Sequence, residues 1–377
     1  MSLVEATRSP RPPWRGFFNN TKALPGPSKG HLEGLTLAGD GITASSRLME
    51  WINCIKFTEL RELCILDRVS LDVLRPLSLM AADGELKHLR RLSLKINSSG
   101  STDDISLDKI VSHMLDLLEP LQELSMLDYV GPRTLHSVLG HHSTSLRKLE
   151  LVPTANTRMA MTLRGHIEDI RQKCRGLREL SLTIPRTKGD QDEVDMYCNF
   201  GKFRHLTDLS LLFDCSNQRW RDLEEPPPPP ALVRDILVNA AVDSTLAQSI
   251  FRTIRAADSL SPSPLQTLRL RVDTSAFMHV WNDYEFSSMV GWIGRSWLCQ
   301  RQSQYDGVQG IAAVELQVQH RQAYRQLMDD DWELSFLHGS VYEKVWKELW
   351  PGGNGDWMDD WISFPLAGKF SELPSMR

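Results

Sequence analysis

The sequence has no long apolar run and no excess of basic residues. No stretch approaches the ~18 consecutive apolar residues of a membrane-spanning helix, and the start, MSLVEATRSPRPPWRGFF, lacks the apolar core of a secretory signal. The net charge is −5 and the pI is near 6.1, whereas surfaces that bind nucleic acid or anionic lipid need basic residues in excess. We therefore expect a cytoplasmic or nuclear protein that binds neither nucleic acid nor membrane.

Local motifs of catalysis and metal binding are also absent. The 6 cysteines form no CxxC pair and no zinc-ligand spacing, which predicts reduced thiols inside a cell. There is no GxSxG, Walker A loop, Rossmann fingerprint or HExxH. The sequence therefore predicts no cofactor and no enzyme activity, although an active site assembled from distant residues would leave no local motif.

Two groups of potential metal ligands have the wrong spacing. His136, His141 and His142 cluster, but the interval of five residues between the first two misses the i, i+4 helix face that pairs histidines on zinc. Acidic runs at 329–331 and 356–360 lack the alternating order of a calcium loop. We interpret the acidic runs as solvated turns and predict no metal site.

What the sequence does contain is a repeated phrase, Leu-x-x-Leu-x-aliphatic. Successive matches are separated by 28, 29, 32, 25, 31, 29 and 59 residues, and counting the last interval as two gives a mean of about 29. The matches start at Leu32, Leu60, Leu89, Leu121, Leu146, Leu177, Leu206 and Leu265.

Each match predicts a short strand followed by a helix. In LRELSL at 177–182 the last two leucines are two residues apart and share one face of a strand. Segments with helical spacing follow, as at 45–55, 106–121 and 161–174. Three buried leucines contribute roughly 6–9 kcal/mol, while ordering about 29 residues costs roughly 30 kcal/mol or more. One period is therefore unstable alone, and neighbouring periods must stack.

The LxxLxL periods at about 30–273 resemble those of leucine-rich-repeat proteins, and their irregular steps resemble fungal F-box/leucine-rich-repeat proteins. The resemblance implies an α/β leucine-rich-repeat solenoid, with a curved parallel sheet inside and helices outside. The position that holds Asn or Cys in that family is mostly occupied otherwise here, for example by Arg68, Tyr129 and Pro185. No segment before Leu32 reads as an F-box, so we expect either a lost adaptor-docking module or a chain that was never a ligase subunit.

The resemblance implies a protein-interaction module. Its partner would be a protein or peptide on the concave face, and the module would read substrates in a ubiquitin-ligase-type complex with a Skp-type adaptor. An accessory or scaffold protein without a ligase role is the alternative, followed by an enzyme with its site in the C-terminal region. The strand residues that alternate with the buried leucines would face the partner. These predicted contact residues are Glu62, Cys64, Arg91, Ser93, Glu123, Ser125, Lys148, Glu150, Glu179, Ser181, Asp208, Ser210 and Arg269. Loops at 97–104, 153–159 and 185–193 are the second choice.

Three domain regions follow: a flexible N-terminal tail at 1–29, the solenoid at 30–275 and a C-terminal region at 276–377. A Pro-rich insertion near 215–231 interrupts the repeat, and its proline run at 226–230 is expected to be extended polyproline II. That run would be a stiff connector or a ligand for a polyproline-reading domain. Of the 11 Trp residues, most lie in the C-terminal region, where they would cap the solenoid or grip a partner. IAAVEL at Ile311 resembles one more degenerate period.

Overall fold

The structure is a computed structural model in which the chain divides into two compact units. The first comprises residues 1–153 and 172–177, and the second comprises residues 154–171 and 178–377. The residues described here are 2–7, 29–39, 44–97, 103–153, 165–216, 228–257, 263–274, 284–303, 309–319, 321–322, 340–352 and 359–367. The three domain regions expected from the sequence divide the chain at other residues than these two units do, and they stay predictions.

Parallel strands in chain order make up the sheet of the first unit. They are β1 (Ser2–Thr7), β2 (Gly34–Gly39), β3 (Glu62–Val69), β4 (Arg91–Ile96), β5 (Glu123–Asp128) and β6 (Lys148–Pro153). Each pairs with the next one along the chain. Strand β1 lies inside the segment expected to be a tail, and residues 8–28 of that segment are outside the described residues.

Helices separate these strands. They are α1 (Ala44–Cys54), α2 (Leu71–Ala82), α3 (Asp103–Leu117) and α4 (Pro132–Ser137), the last continued by a π-helical turn at Val138–His142. A 3-10 turn at Phe57–Glu59 precedes β3. Neighbouring helices pack on one another, and α1 and α2 also contact the strands. Helix α5 (Ile167–Lys173) follows β6 in the chain.

The second unit combines parallel and antiparallel strands. Strands β7 (Glu179–Pro185), β8 (Asp208–Asp214) and β9 (Thr267–Asp273) are parallel, and β10 (Ser296–Ser303) and β11 (Gln309–Leu316) follow in antiparallel order. Its remaining helices are α6 (Gln191–Gly201), α7 (Pro230–Ala240), α8 (Ser244–Arg255), α9 (Tyr284–Ile293) and α10 (Val341–Leu349). IAAVEL, which resembles one more degenerate period, does lie in a strand, but β11 pairs antiparallel with β10 and not parallel with a preceding period.

The aliphatic triplets form the core, as the repeat predicts. The leucines that open the eight matches are all buried, and so are the two aliphatic side chains that follow in each strand, such as Leu63 and Ile65 or Leu209 and Leu211. Between them, strand residues alternate to half-buried or exposed. This alternation is the period of two that a strand imposes when helices cover only one of its faces.

A repeated hydrogen-bond pattern fixes the start of each strand. The carbonyl of Glu33 accepts from the backbone N–H groups of Arg61 (2.7 Å) and Glu62 (3.0 Å), and the carbonyl of Arg61 accepts likewise from Arg90 and Arg91. The carbonyls of Arg90 and Gln122 repeat this pattern in the first unit, and those of Arg178 and Thr207 repeat it in the second. Within each unit, these periods therefore meet through the same backbone geometry.

No strand of the sheet lies between the two strands that bound the 59-residue step. Strand β8 pairs directly with β9, from Asp208 opposite Thr267 to Asp214 opposite Asp273. Counting this interval as two periods is therefore wrong. In its described part the interval holds α7 and α8, which bury apolar residues such as Ile236 and Phe251. Two helices in succession, α7 and α8, therefore stand between β8 and β9 in the chain.

The end of the proline run also differs from expectation. Pro229 is extended (φ −58°, ψ 138°), but Pro230 is the first residue of α7. Proline suits this position because its missing N–H would have no partner in the first helical turn. The expectation of polyproline II through residue 230 is therefore wrong at its last residue, and residues 226–227 lie outside the described residues.

The Trp residues of the described C-terminal region fill the core of the second unit. The rings of Trp346 and Trp361 lie 6.2 and 6.4 Å from that of Trp350. Trp297 donates its indole N–H to the carbonyl of Val242 at 2.7 Å. All four rings are buried, so these residues serve packing. In the described part of the chain, no helix has the length and apolarity needed to cross a membrane.

Candidate functional site

The predicted contact residues of the first unit stand in two rows across the strands. The register places Glu62 beside Arg91, Arg91 beside Glu123, and Glu123 beside Lys148. The second row runs in the same way through Cys64, Ser93, Ser125 and Glu150. We call the surface formed by these eight residues the open face of the first unit. It lies on the side of the sheet opposite the buried leucines.

The second unit carries a shorter version of both rows. Glu179 lies beside Asp208 in the first row, and Ser181, Ser210 and Arg269 follow one another in the second. Glu179 and Arg269 are exposed, while the three others are half-buried. The structure thus brings together the predicted residues within each unit.

Arg91 organises the first row of the open face. Its Nε lies 3.0 Å from Oε1 of Glu123, and its Nη1 lies 3.5 Å from Oε2 of Glu62. All three side chains are more than one third exposed, so each pair is screened and contributes less than about 1 kcal/mol to stability. Exposed ion pairs of this kind exchange partners at low cost, which suits a surface that meets another protein.

Small hydroxyl and thiol groups form the second row. Ser125 donates to Oε2 of Glu150 at 2.7 Å. Burial raises the pKa of the Cys64 thiol, a hydrogen bond with Ser93 partly offsets this, and the charges of Glu62 and Glu150 add to the rise. A thiol with a raised pKa is poorly reactive at neutral pH. The second row therefore offers hydroxyl groups and a protonated thiol that can form hydrogen bonds.

Sequence reasoning missed a third row on the same face. Lys95 lies beside Leu127, and Leu127 lies beside Val152. Leu66 of β3 is 45% exposed on this side, and Lys95 Nζ lies 3.8 Å from Oδ2 of Asp128. The motif search stopped at the last aliphatic residue of each triplet, although the strand continues beyond it. Continuing the alternation by two residues would have found this apolar edge.

Of the three clustered histidines only His142 is buried in the first unit, whereas His136 and His141 are exposed. The backbone N–H of Leu121 donates to Nδ1 of His142 (3.1 Å), so the proton must lie on Nε2, which donates to the carbonyl of Leu115 (3.0 Å). Nε2 of His141 donates to the carbonyl of Leu118 at 2.7 Å. Both carbonyls lie at the C-terminal end of α3, where carbonyl groups have no N–H partner within the helix. These two histidines cap a helix.

Potential metal ligands do not converge in the part of the chain that the structure describes. No group of three or more His, Cys, Asp or Glu side chains there has the arrangement of a cation site. The acidic run at 329–331 and residue 356 lie outside the described residues. Oδ1 of Asp359 lies 2.7 Å from Nη2 of Arg295, so its carboxylate serves an ion pair.

A cleft of about 300 Å³ lies in the described part of the C-terminal region. Trp292, Arg295, Glu315 and Arg321 line it, and histidine is not among its described lining residues. Arg321 holds Glu315 through two contacts of 2.8 and 3.2 Å. Its guanidinium also lies over the Trp292 ring, 5.8 Å from the centroid. The charged groups of this cleft are thus engaged with one another.

The loop at 185–193 is one of the three loops predicted as the second choice of contact site. The buried side chain of Glu193 holds it in place. Oε2 of Glu193 accepts from the N–H groups of Thr187 (2.7 Å) and Gly189 (2.9 Å), and Oε1 accepts from the Tyr197 hydroxyl (2.7 Å). Nη1 of Arg186 lies 3.0 Å from the same Oε1, and both charged side chains are at most 1% exposed. Burial opposes the charge of Arg186, but Glu193, Tyr197 and Cys215 together outweigh burial and raise the pKa of the guanidinium. Residues 98–102 and 154–159 of the other two loops lie outside the described residues.

Comparison with known families and proteins gave no match. A scan against models of protein families found none that fits the chain, and a search of curated proteins found no similar sequence.

Proposed function

We propose that the chain is a non-enzymatic protein-interaction module, a leucine-rich-repeat solenoid whose open face binds another protein or a peptide. The observation that carries the proposal is the register of the strands, which sets the predicted contact residues side by side in rows. The in-order parallel strands, the buried triplets and the repeated carbonyl pattern support the solenoid.

The chemistry of the rows favours a protein partner. Charges of both signs, hydroxyl groups and the exposed Leu66 alternate over an extended surface, as in the polar rim and small apolar patches of protein interfaces. A small apolar ligand needs an enclosed pocket instead. In the C-terminal region the buried Trp rings and mutually paired Arg and carboxylate groups also favour packing over catalysis.

A role in reading substrates for a ubiquitin-ligase-type complex rests on the resemblance to F-box/leucine-rich-repeat proteins. Its test is purification of the full chain from its native cell, followed by mass spectrometry. A Skp-type adaptor in the complex supports the ligase role, and its consistent absence removes that role. In that case the chain is an accessory or scaffold protein with the same binding face.

The binding face itself is tested by placing bulk on it. The double variant Ser93→Arg/Ser125→Arg puts two long side chains on the second row, where both residues are half-buried between neighbouring strands. We expect it to lose at least one protein that the unaltered chain captures from its native cell. The matched control is Ser106→Arg, an exposed position of α3. An unchanged set of partners in a folded double variant would refute the open face as the binding site.

A further inference from the structure

A charged groove borders the open face at the beginning of strands β2 to β5. Its volume is about 730 Å³, within the size range of ligand-binding clefts. The lining includes Glu33, Glu59 and Glu62 as well as Arg61, Arg90 and Arg91. The residues that precede the strands thus contribute a second polar surface beside the rows described above.

Two of the carboxylates that line this groove already have partners. Oε2 of Glu59 lies 2.6 Å from Nδ1 of His31, and this hydrogen bond lowers the pKa of the Glu59 carboxyl. Oε2 of Glu62 lies 3.5 Å from Nη1 of Arg91, which also holds Glu123. Glu59 and Glu62 therefore each have a partner within the chain.

Arg61 and Arg90 are in a different situation. They are neighbours, because the backbone N–H of Arg90 donates to the carbonyl of Arg61 at 2.8 Å. Both side chains are exposed, and among the described residues neither guanidinium has a carboxylate within ion-pair distance. Arg90 has only a 3.5 Å contact from Nη1 to the carbonyl of Pro120. Two adjacent guanidinium groups without an anion present up to ten N–H donors toward the groove.

We propose that this groove binds an acidic segment of a partner protein, with one of its carboxylates held between Arg61 and Arg90. A carboxylate can accept two parallel N–H bonds from a guanidinium, and a second guanidinium beside it removes the remaining charge. This inference rests on the proposed function, since it specifies the chemistry of the partner that the open face meets.

The other lining residues select among anions. Glu33, Glu59 and Glu62 line the same groove as the two guanidinium groups, and the chain has a net charge of −5. A continuous polyanion such as RNA would place phosphates against these carboxylates and be repelled. A peptide can alternate acidic with neutral residues and so avoid that repulsion. The groove therefore favours spaced carboxylates.

The test is fluorescence anisotropy with the full chain and a fluorescein-labelled decapeptide of alternating Glu and Ser. We expect saturable binding that weakens as salt is added, because the guanidinium groups are exposed. The double variant Arg61→Gln/Arg90→Gln should weaken binding by about tenfold or more. The control variant Arg75→Gln removes one exposed charge on α2 and should leave binding unchanged.

Three results would overturn the proposal: no saturable binding, an equal loss in the Arg75→Gln control, or tighter binding of a decamer of uridylate than of the peptide. Partner capture separates this inference from the proposed function. If capture is abolished by Ser93→Arg/Ser125→Arg and is unaffected by Arg61→Gln/Arg90→Gln, the groove assignment fails and the binding face stands. If neither double variant changes capture, the proposed function fails.

Discussion

His142 shows how one buried side chain links folding to pH in the first unit. The ring is fully buried, and burial, followed by the nearby His141, lowers its pKa from 6.5 to about 4. In the unfolded chain the ring takes up a proton near pH 6.5, while the folded chain resists protonation until about pH 4. The stabilising effect is complete above pH 6.5 and is lost as the pH falls through this window.

We therefore predict a pH-dependent loss of stability that belongs to this residue. The full shift, from 6.5 to about 4, corresponds to about 3 kcal/mol of unfolding free energy. We expect the unfolding free energy of the His142→Gln variant, measured with urea, to fall by about 3 kcal/mol less between pH 6.5 and 4 than that of the unaltered chain. At pH 7 the variant should be less stable than the unaltered chain. The exposed His136→Gln variant is the control. Parallel pH profiles for all three proteins would contradict the assignment.

Single residues were also where sequence reasoning succeeded least. The spacing of His136, His141 and His142 predicted no zinc pair, and nothing in it indicated that two of these rings bind carbonyls at the end of α3. Such contacts join residues 23 and 27 positions apart, and a local pattern carries no information on them. Pro230 was also predicted wrongly, as polyproline II, although its place at the first position of α7 agrees with the general preference for proline there.

At the scale of elements, the close contact between α6 and α8 depends on one glycine. A Cβ built on Gly201 would lie 1.9 Å from the carbonyl oxygen of Ile254 and 2.6 Å from the Cβ of Ala257. Both neighbours are near the end of α8, and one of them is a backbone atom. The two helices approach as closely as they do because this position has no side chain.

We predict that Gly201→Ala lowers the unfolding free energy by about 1–3 kcal/mol, since α8 must move to relieve the overlap. Gly165→Ala is the matched control in the same unit, where an added Cβ meets no atom within 4 Å, and it should be neutral or slightly stabilising. Chemical denaturation of both variants measures the difference. Equal stability of the two would show that α8 adjusts freely.

The elements that could be predicted are those with a strong period. The strands from β2 to β9 coincide with the Leu-x-x-Leu matches, because the buried leucines impose the spacing directly. Strands β10 and β11 were missed as an antiparallel pair, since a strand's direction depends on the connection before it and leaves no pattern in its own residues. The two successive helices α7 and α8 between β8 and β9 were missed because the interval was counted as two mean periods.

At the scale of the whole molecule, a short C-terminal segment ties together parts of the second unit that are far apart in sequence. Ser363 donates through its hydroxyl to Oδ1 of Asp243 (2.7 Å), the residue that caps α8. The N–H of Ala367 donates to the carbonyl of Gly189 (2.7 Å), and Trp350 donates its indole N–H to Ile362 (2.9 Å).

We predict that a chain ending at residue 360 is less stable than the full chain by about 3–5 kcal/mol or more, the cost of removing one buried Trp side chain alone. Its Trp fluorescence should shift to the red, because loss of Trp361 uncovers the neighbouring Trp350 ring. A chain ending at residue 367 keeps all three hydrogen bonds and serves as the control. Identical melting of the two truncated chains would contradict the prediction.

The candidate binding face could be predicted only in part. Its two rows followed from alternation along each strand combined with a constant interval between strands, so the contact residues could be placed side by side before the register was known. The free guanidinium pair at Arg61 and Arg90 could not. Whether a charged side chain already has a partner depends on residues from other periods, such as His31 beside Glu59.

The carbonyl pattern at the strand starts has a consequence for how the protein reaches its native state. Every described strand pairing links strands that follow one another along the chain. The loops to be closed are therefore short, and contact order stays low for a chain of this length. Nucleation can start at any adjacent pair of periods within a unit and spread outward, one strand at a time.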